Sequence, residues 1–263
     1  MSGRFQIGLW VVLIVLFVAF YQFFSVTDAN PGAGPTAANN RLGNFGILAI
    51  AVPVSLAAFS FVLLRVRKGQ RLNNEGVALM SQGRIAAALE KFKTAEAVLK
   101  SNPLIPYNCG GAQLSMWRLA DAVRDYERAG KSRFSRNLQH LIAPQLALAN
   151  ALQGKGAASA RWLNEALKLA NEAAPGAILA QAVMACRAGR FQDASPLLDR
   201  HELRSLGGMQ RGLSDALRAW CAEQLAGERR YVDRVAVFGE AGPDALRQAW
   251  PELAEFLERA PAA

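Results

Sequence analysis

Two uninterrupted apolar runs near the N-terminus constrain this chain more than any other feature. Residues 5–24 (FQIGLWVVLIVLFVAFYQFF) and 45–64 (FGILAIAVPVSLAAFSFVLL) carry no charged side chain. A helix of about 20 such residues spans a hydrocarbon core of about 30 Å. Inside lipid each backbone polar group must be satisfied within its own segment, so a helix is the solution for each run. The first 64 residues hold three charged side chains, Arg4, Asp28 and Arg41, whereas the rest of the chain holds 28 basic and 20 acidic ones. The pattern predicts a transmembrane hairpin over 1–68, with spans at about 5–24 and 45–64 and an exposed loop at 25–44. A helical domain over 69–263 follows.

A cleaved signal peptide is the competing reading of the first run, because SVTDA follows it. The apolar core is longer than the roughly 7–15 residues of a signal h-region, and a second run comes soon after, so a retained span is expected. Pro53 lies within the second run, and Ala51 and Ser55 are small residues one turn apart that would let the two spans approach closely. The connecting DANPGAGPTAANNRLGN is rich in Pro, Gly, Asn and Ala and lacks apolar periodicity. Arg65, Arg67, Lys68 and Arg71 flank the second span, against Arg41 alone in the loop, which predicts that both termini are cytoplasmic. The same basic cluster serves either as a topology determinant or as a contact for anionic lipid. The Ala-rich and Arg-rich composition points to a bacterial inner membrane.

After Gly69 the chain reads as amphipathic helices of about a dozen residues, without strand-like alternation. A repeat appears at a spacing of 34 residues: Asn74, Gly76, Ala88, Phe92 and Ala95 recur as Asn108, Gly110, Ala122, Tyr126 and Ala129. Small residues allow two antiparallel helices to approach, and the aromatic fills the space between one helix pair and the next. In LNNEGVALMSQGRIAAALEKFKTAEAVLKSNP and PYNCGGAQLSMWRLADAVRDYERA the chain resembles the tetratricopeptide repeat (TPR) family. The two units depart from its pattern early in the first helix, where they hold Leu72 and Pro106, and Pro103 comes late.

The resemblance implies an all-α solenoid with its clearest repeats at about 69–102 and 103–136. Degenerate repeats are expected at about 142–205, where AGRFQDA at 188–194 echoes QGRIAAA at 82–88. Their helices are placed near 142–153, 157–172, 177–188 and 191–200. A C-terminal helical cap at about 213–260, with helices near 213–226, 229–238 and 244–259, would close the end of the stack.

Catalytic chemistry is not legible. His140 and His201 have no Cys, Asp or Glu at a metal-ligand spacing, and CxxC, HExxH, Walker-type and GxSxG motifs are absent. Gly110-Gly111 lacks the preceding strand and Lys-Ser/Thr of a phosphate loop. Cys109, Cys186 and Cys221 lie far apart in apolar helical stretches and read as buried reduced thiols. Despite a net charge of +9, basic residues are interspersed with acids rather than gathered in a run, which argues against nucleic acid. No catalytic residue, metal, cofactor or small-molecule substrate is therefore expected, and the chain reads as no enzyme.

The TPR resemblance implies a concave groove lined by the first helix of each unit, with a peptide segment of a protein partner as its ligand. Asn74 and Asn108 occupy the position that often contacts peptide in that family. Asn73, Val77, Met80, Tyr107 and Leu114 would face the groove by the same alignment. Asn74 and Asn108 could equally cap helices or bond neighbouring backbone. Two roles follow: an adaptor that recruits partners to the membrane through the groove, or an accessory subunit of a membrane enzyme or transporter that acts through the hairpin.

Overall fold

The computed structural model describes residues 36–132, 135–169 and 174–261, with side chains from residue 53 onward. The described residues form helices and no strand; Val232 N–H meets the carbonyl of Pro261 as an isolated bridge (3.2 Å). Chain contacts divide the protein into two units, Met1–Lys68 and Gly69–Ala263.

In the first unit, helix α1 (Thr36–Ser81) begins inside the stretch expected to be loop and continues through Pro53. The Pro- and Gly-rich part of that stretch ends at residue 35, and TAANNRL offers no residue that opposes a helix strongly. The span expected at 5–24 lies outside the described residues, as do the side chains of 45–52 in the second. Among the described residues no helix is long and apolar enough to cross a membrane. Val54, Leu56, Phe61, Val62 and Leu64 are each at least half exposed. At 3.6 residues per turn they cover all of α1 but one side, which holds the half-buried Ser55, Phe59, Leu63 and Val66.

The second unit is a series of helical hairpins. The end of α1 pairs with α2 (Ile85–Val98), α3 (Leu104–Ser115) with α4 (Leu119–Lys131), α5 (Gln139–Leu152) with α6 (Gly156–Leu169), and α7 (Pro175–Arg187) with α8 (Phe191–Leu198). Each hairpin turns the same way. A residue in left-handed conformation ends the first helix: Gly83 (φ 77°), Trp117 (φ 57°), Gly154 (φ 74°) and Gly189 (φ 69°). The next amide, of Arg84, Arg118, Lys155 or Arg190, donates back five residues to Leu79, Gln113, Asn150 or Ala185 at 2.9–3.0 Å. This is the Schellman closure, which satisfies carbonyls that the helix end would leave unpaired.

Counting from those turn residues aligns all four hairpins. Seven residues before stand Gly76, Gly110, Ala147 and Ala182; five after, Ala88, Ala122, Ser159 and Ala194; nine after, Phe92, Tyr126, Leu163 and Leu198, every one of them buried. The facing pair conserves volume. A Cβ on Gly76 would lie 2.5 Å from the Phe92 ring, and one on Gly110 2.8 Å from that of Tyr126. Where the ring becomes Leu163 or Leu198, the opposing glycine becomes alanine. Ser159 keeps its hydroxyl satisfied by donating to Ala147 O across the hairpin (2.8 Å).

Beyond the hairpins lie α9 (Gly208–Ala226), α10 (Arg234–Phe238), α11 (Gly242–Ala249) and α12 (Pro251–Arg259). Helix α9 starts five residues before the expected position, and 229–233 are not helical; Asp233 caps α10 by accepting from Ala236 N (3.1 Å). The single helix expected over 244–259 is two. Pro251 excludes helical geometry at the residue before it, and Trp250 sits at φ −152°, ψ 82°.

Nor does this segment cover only the end of the stack, as expected of a cap. Glu240 accepts from Ala86 N in the first hairpin (2.6 Å), and Val237 O accepts from Trp117 Nε1 in the second (2.8 Å). Gln210 donates to Gln145 in the third (2.9 Å), and Cys221 Sγ lies 3.7 Å from Cys186 Sγ in the fourth. Arg187 donates to both Leu152 O and Ala249 O at 2.6 Å and lies over the Trp250 ring. Trp220 packs edge-on against Phe191 and Trp250 and stacks on Phe256, tying α8, α9 and α12 together.

Candidate protein-docking groove

The residues expected to form a groove occupy the first helices of the first two hairpins. On α1, Asn74 and Val77 are exposed and Met80 is half-buried. On α3, the adjacent Tyr107 and Asn108 are half-buried, as are Gly111 and Ser115 three to four residues further on at each step, hence on one face. The groove is therefore a strip between two neighbouring first helices.

Its floor is a side-chain bridge. Asn108 Nδ2 donates to Asn73 Oδ1 at 2.8 Å, and Asn73 is buried. Asn108 thus bonds across hairpins, to the residue beside its repeat-mate, and leaves Asn74 as the exposed amide. Tyr107 leans on Tyr126 with ring centroids 5.6 Å apart, and burial pushes both phenols up from their ordinary range. A phenol so placed stays neutral and offers a hydrogen-bonding edge.

Leu114 does not face an open groove. It is 1% exposed and belongs to the main core cluster, together with Trp117 and Val237. Only three residues beyond Gly111 on α3, it stands next to Ser115 and one turn before Trp117, both of which the chain's own 237–240 segment touches. A Cβ on Gly239 would come within 3.2 Å of Ser115 O, so glycine is what lets the segment lie this close. A step of 34 from Gly83 lands on Trp117, which is the one signal in the sequence that could have exposed this crossing.

Charges frame the strip rather than fill it. Glu75 accepts from Lys91 (2.8 Å) and lies 3.4 Å from Arg71; the Lys91 hydrogen bond foremost, then the charges of Lys91 and Arg71, hold its carboxyl below the usual range. Arg128 joins Glu96 of the first hairpin to Asp125 of the second. Arg67 and Lys68 are exposed, as is Arg65, and Arg71 is committed to Glu75.

Among the described residues no three His, Cys, Asp or Glu side chains gather as a metal site. His140 and His201 are exposed, and all three cysteines are buried and free. No family model, no curated protein and no solved structure matches the chain.

Proposed function

We propose that the protein is a membrane-tethered adaptor whose TPR-like hairpins present a peptide-docking groove on the cytoplasmic side of a bacterial inner membrane. The observation that carries this reading is the open strip on the first hairpin, where Asn74 and Val77 stand exposed beside the Asn73–Asn108 bridge. Support for the TPR relationship is the common register of small, small and large residues about one turn geometry in four hairpins. Support for the membrane anchor comes from α1, where residues 54–64 carry no charge and Val54, Leu56, Phe61, Val62 and Leu64 are exposed. Such a helix is at home in lipid or within a larger core. Tethering would raise the effective concentration of the groove toward partners at the bilayer. Catalysis has no part in this role.

The same exposed α1 surface supports the second reading, an accessory subunit that packs its apolar helices against those of a membrane enzyme or transporter. Capture of partners from gently solubilised membranes separates the two. The intact chain is compared with an Asn74→Ala, Val77→Asp variant and with a chain whose residues 1–68 are replaced by an unrelated membrane hairpin. Loss with the groove variant and retention with the replaced hairpin is the adaptor result. The opposite pattern transfers the function to the hairpin.

A further inference from the structure

The strip between α1 and α3 is open at one end and closed at the other, and what closes it belongs to this chain. Asn74, Val77, Tyr107 and Asn108 are accessible to differing degrees, whereas Leu114, farther along the same face of α3, is covered. Three contacts hold the covering segment. Val237 O accepts from Trp117 Nε1, Gly239 lies against Ser115 O, and a Glu240 carboxylate oxygen accepts from Ala86 N in the first turn of α2. Helix α10 is five residues long, and Tyr231 and Val235 are mostly exposed; the segment rests also on α9, where Gly212 lies against the Ala236 backbone, and on the C-terminal end, where Val232 N–H donates to Pro261 O and Arg234 donates to Glu258 O and Ala260 O.

The geometry points to residues 232–241 as a resident pseudo-ligand: the groove takes a segment bearing an aliphatic residue and a carboxylate three positions later, and a partner with that pattern displaces the chain's own Val237 and Glu240. This rests on the adaptor reading and adds to it the chemistry of the partner and a built-in competitor. The carboxylate meets a helix N-terminus, where an unpaired amide and the positive end of the dipole favour an anion. The main-chain carbonyl at the aliphatic position meets the indole N–H, a donor that needs a partner when buried. Glycine between the two permits close passage over Ser115.

The test uses the full chain in detergent and a fluorescent peptide of residues 229–244. In Gly212→Val, the new side chain meets the Ala236 backbone, which a Cβ alone would approach to 2.7 Å, and lifts the resident segment without altering Ala86, Ser115 or Trp117. In Glu240→Lys the segment loses its anchor instead, which guards against misfolding of the first variant. Both variants are expected to bind the peptide about tenfold or more tightly than the unaltered chain, and a Glu240→Ala peptide should lose about tenfold. Equal binding by all three chains, no binding by any, or equal binding of the two peptides overturns the proposal. Partner capture that is lost in the Asn74→Ala, Val77→Asp variant and kept with the replaced hairpin, while the peptide fails, would leave the adaptor standing and remove only the pseudo-ligand.

Discussion

The indole of Trp117 donates a 2.8 Å hydrogen bond to the carbonyl of Val237, 120 residues further along the chain. Trp117 is also the one non-glycine residue with positive φ among the described residues, in a turn position where the other three hairpins have glycine. A left-handed conformation costs a residue with a Cβ about 1–2 kcal/mol. The buried indole and its bond to Val237 offset that cost.

Trp117→Gly should therefore relieve the turn and still destabilise the protein, by about 2–4 kcal/mol, because a buried aromatic is lost. Urea unfolding measures the total. Hydrogen exchange at 235–241 should rise in parallel, and Trp117→Phe, which keeps most of the packing, should raise that exchange at smaller cost in stability. An unchanged exchange rate in both variants would show that the indole does not hold the segment.

In the second hairpin Gly110 and Tyr126 are packed as a unit. Gly110→Ala places a Cβ 2.8 Å from the ring and should cost about 1–3 kcal/mol through overpacking. Adding Tyr126→Leu recreates the Ala and Leu pairing of the third and fourth hairpins, so the double variant should recover much of the loss. A double-mutant cycle in urea reads the coupling directly, and simple additivity would contradict the volume argument.

Alkaline stability carries a signature of Cys109. Burial foremost, with Asp125 adding to it, pushes its thiol up to about 12. The unfolded chain then ionises first as pH rises above the ordinary thiol range, so the folded state holds more protons and stability falls by about 1.4 kcal/mol per pH unit. The fall begins near the unfolded value and ends near the folded one. Cys109→Ala should flatten the dependence of the unfolding free energy between about pH 9 and 10.5. A slope identical to that of the parent chain would exclude the thiol as its source.

Arg187 joins three parts of the molecule through Leu152 O, Ala249 O and the Trp250 face, with its guanidinium carbon 4.5 Å from the ring centroid. Lysine cannot bond two carbonyls and stack at once. Arg187→Lys is expected to destabilise by about 1–3 kcal/mol and to loosen 242–260 before the hairpins in hydrogen exchange. Uniform loosening of the whole second unit would mean that the arginine is not a specific tie to α11.

Legibility in the sequence followed the range of the interactions. The Gly76–Phe92 and Gly110–Tyr126 pairs repeat at a fixed step, so the first two hairpins could be read directly. The third and fourth were blurred because their pairs exchange glycine and ring for alanine and leucine, and the register becomes plain only when the turn residues are aligned. The family alignment put Asn74 and Leu114 on the same groove; Asn74 is exposed in the structure, whereas Leu114 is buried in the main core cluster, a difference that an alignment position does not carry.

Helical class, hairpin turns and buried small faces were set by the sequence alone, because backbone closure and helix contact act over a few residues and recur with a period. The course of 208–260 was decided only in the tertiary structure. Its contacts to Ala86, Trp117, Gln145 and Arg187 are single bonds between distant residues. Such bonds follow no local spacing, so they become visible only when folding brings their partners together.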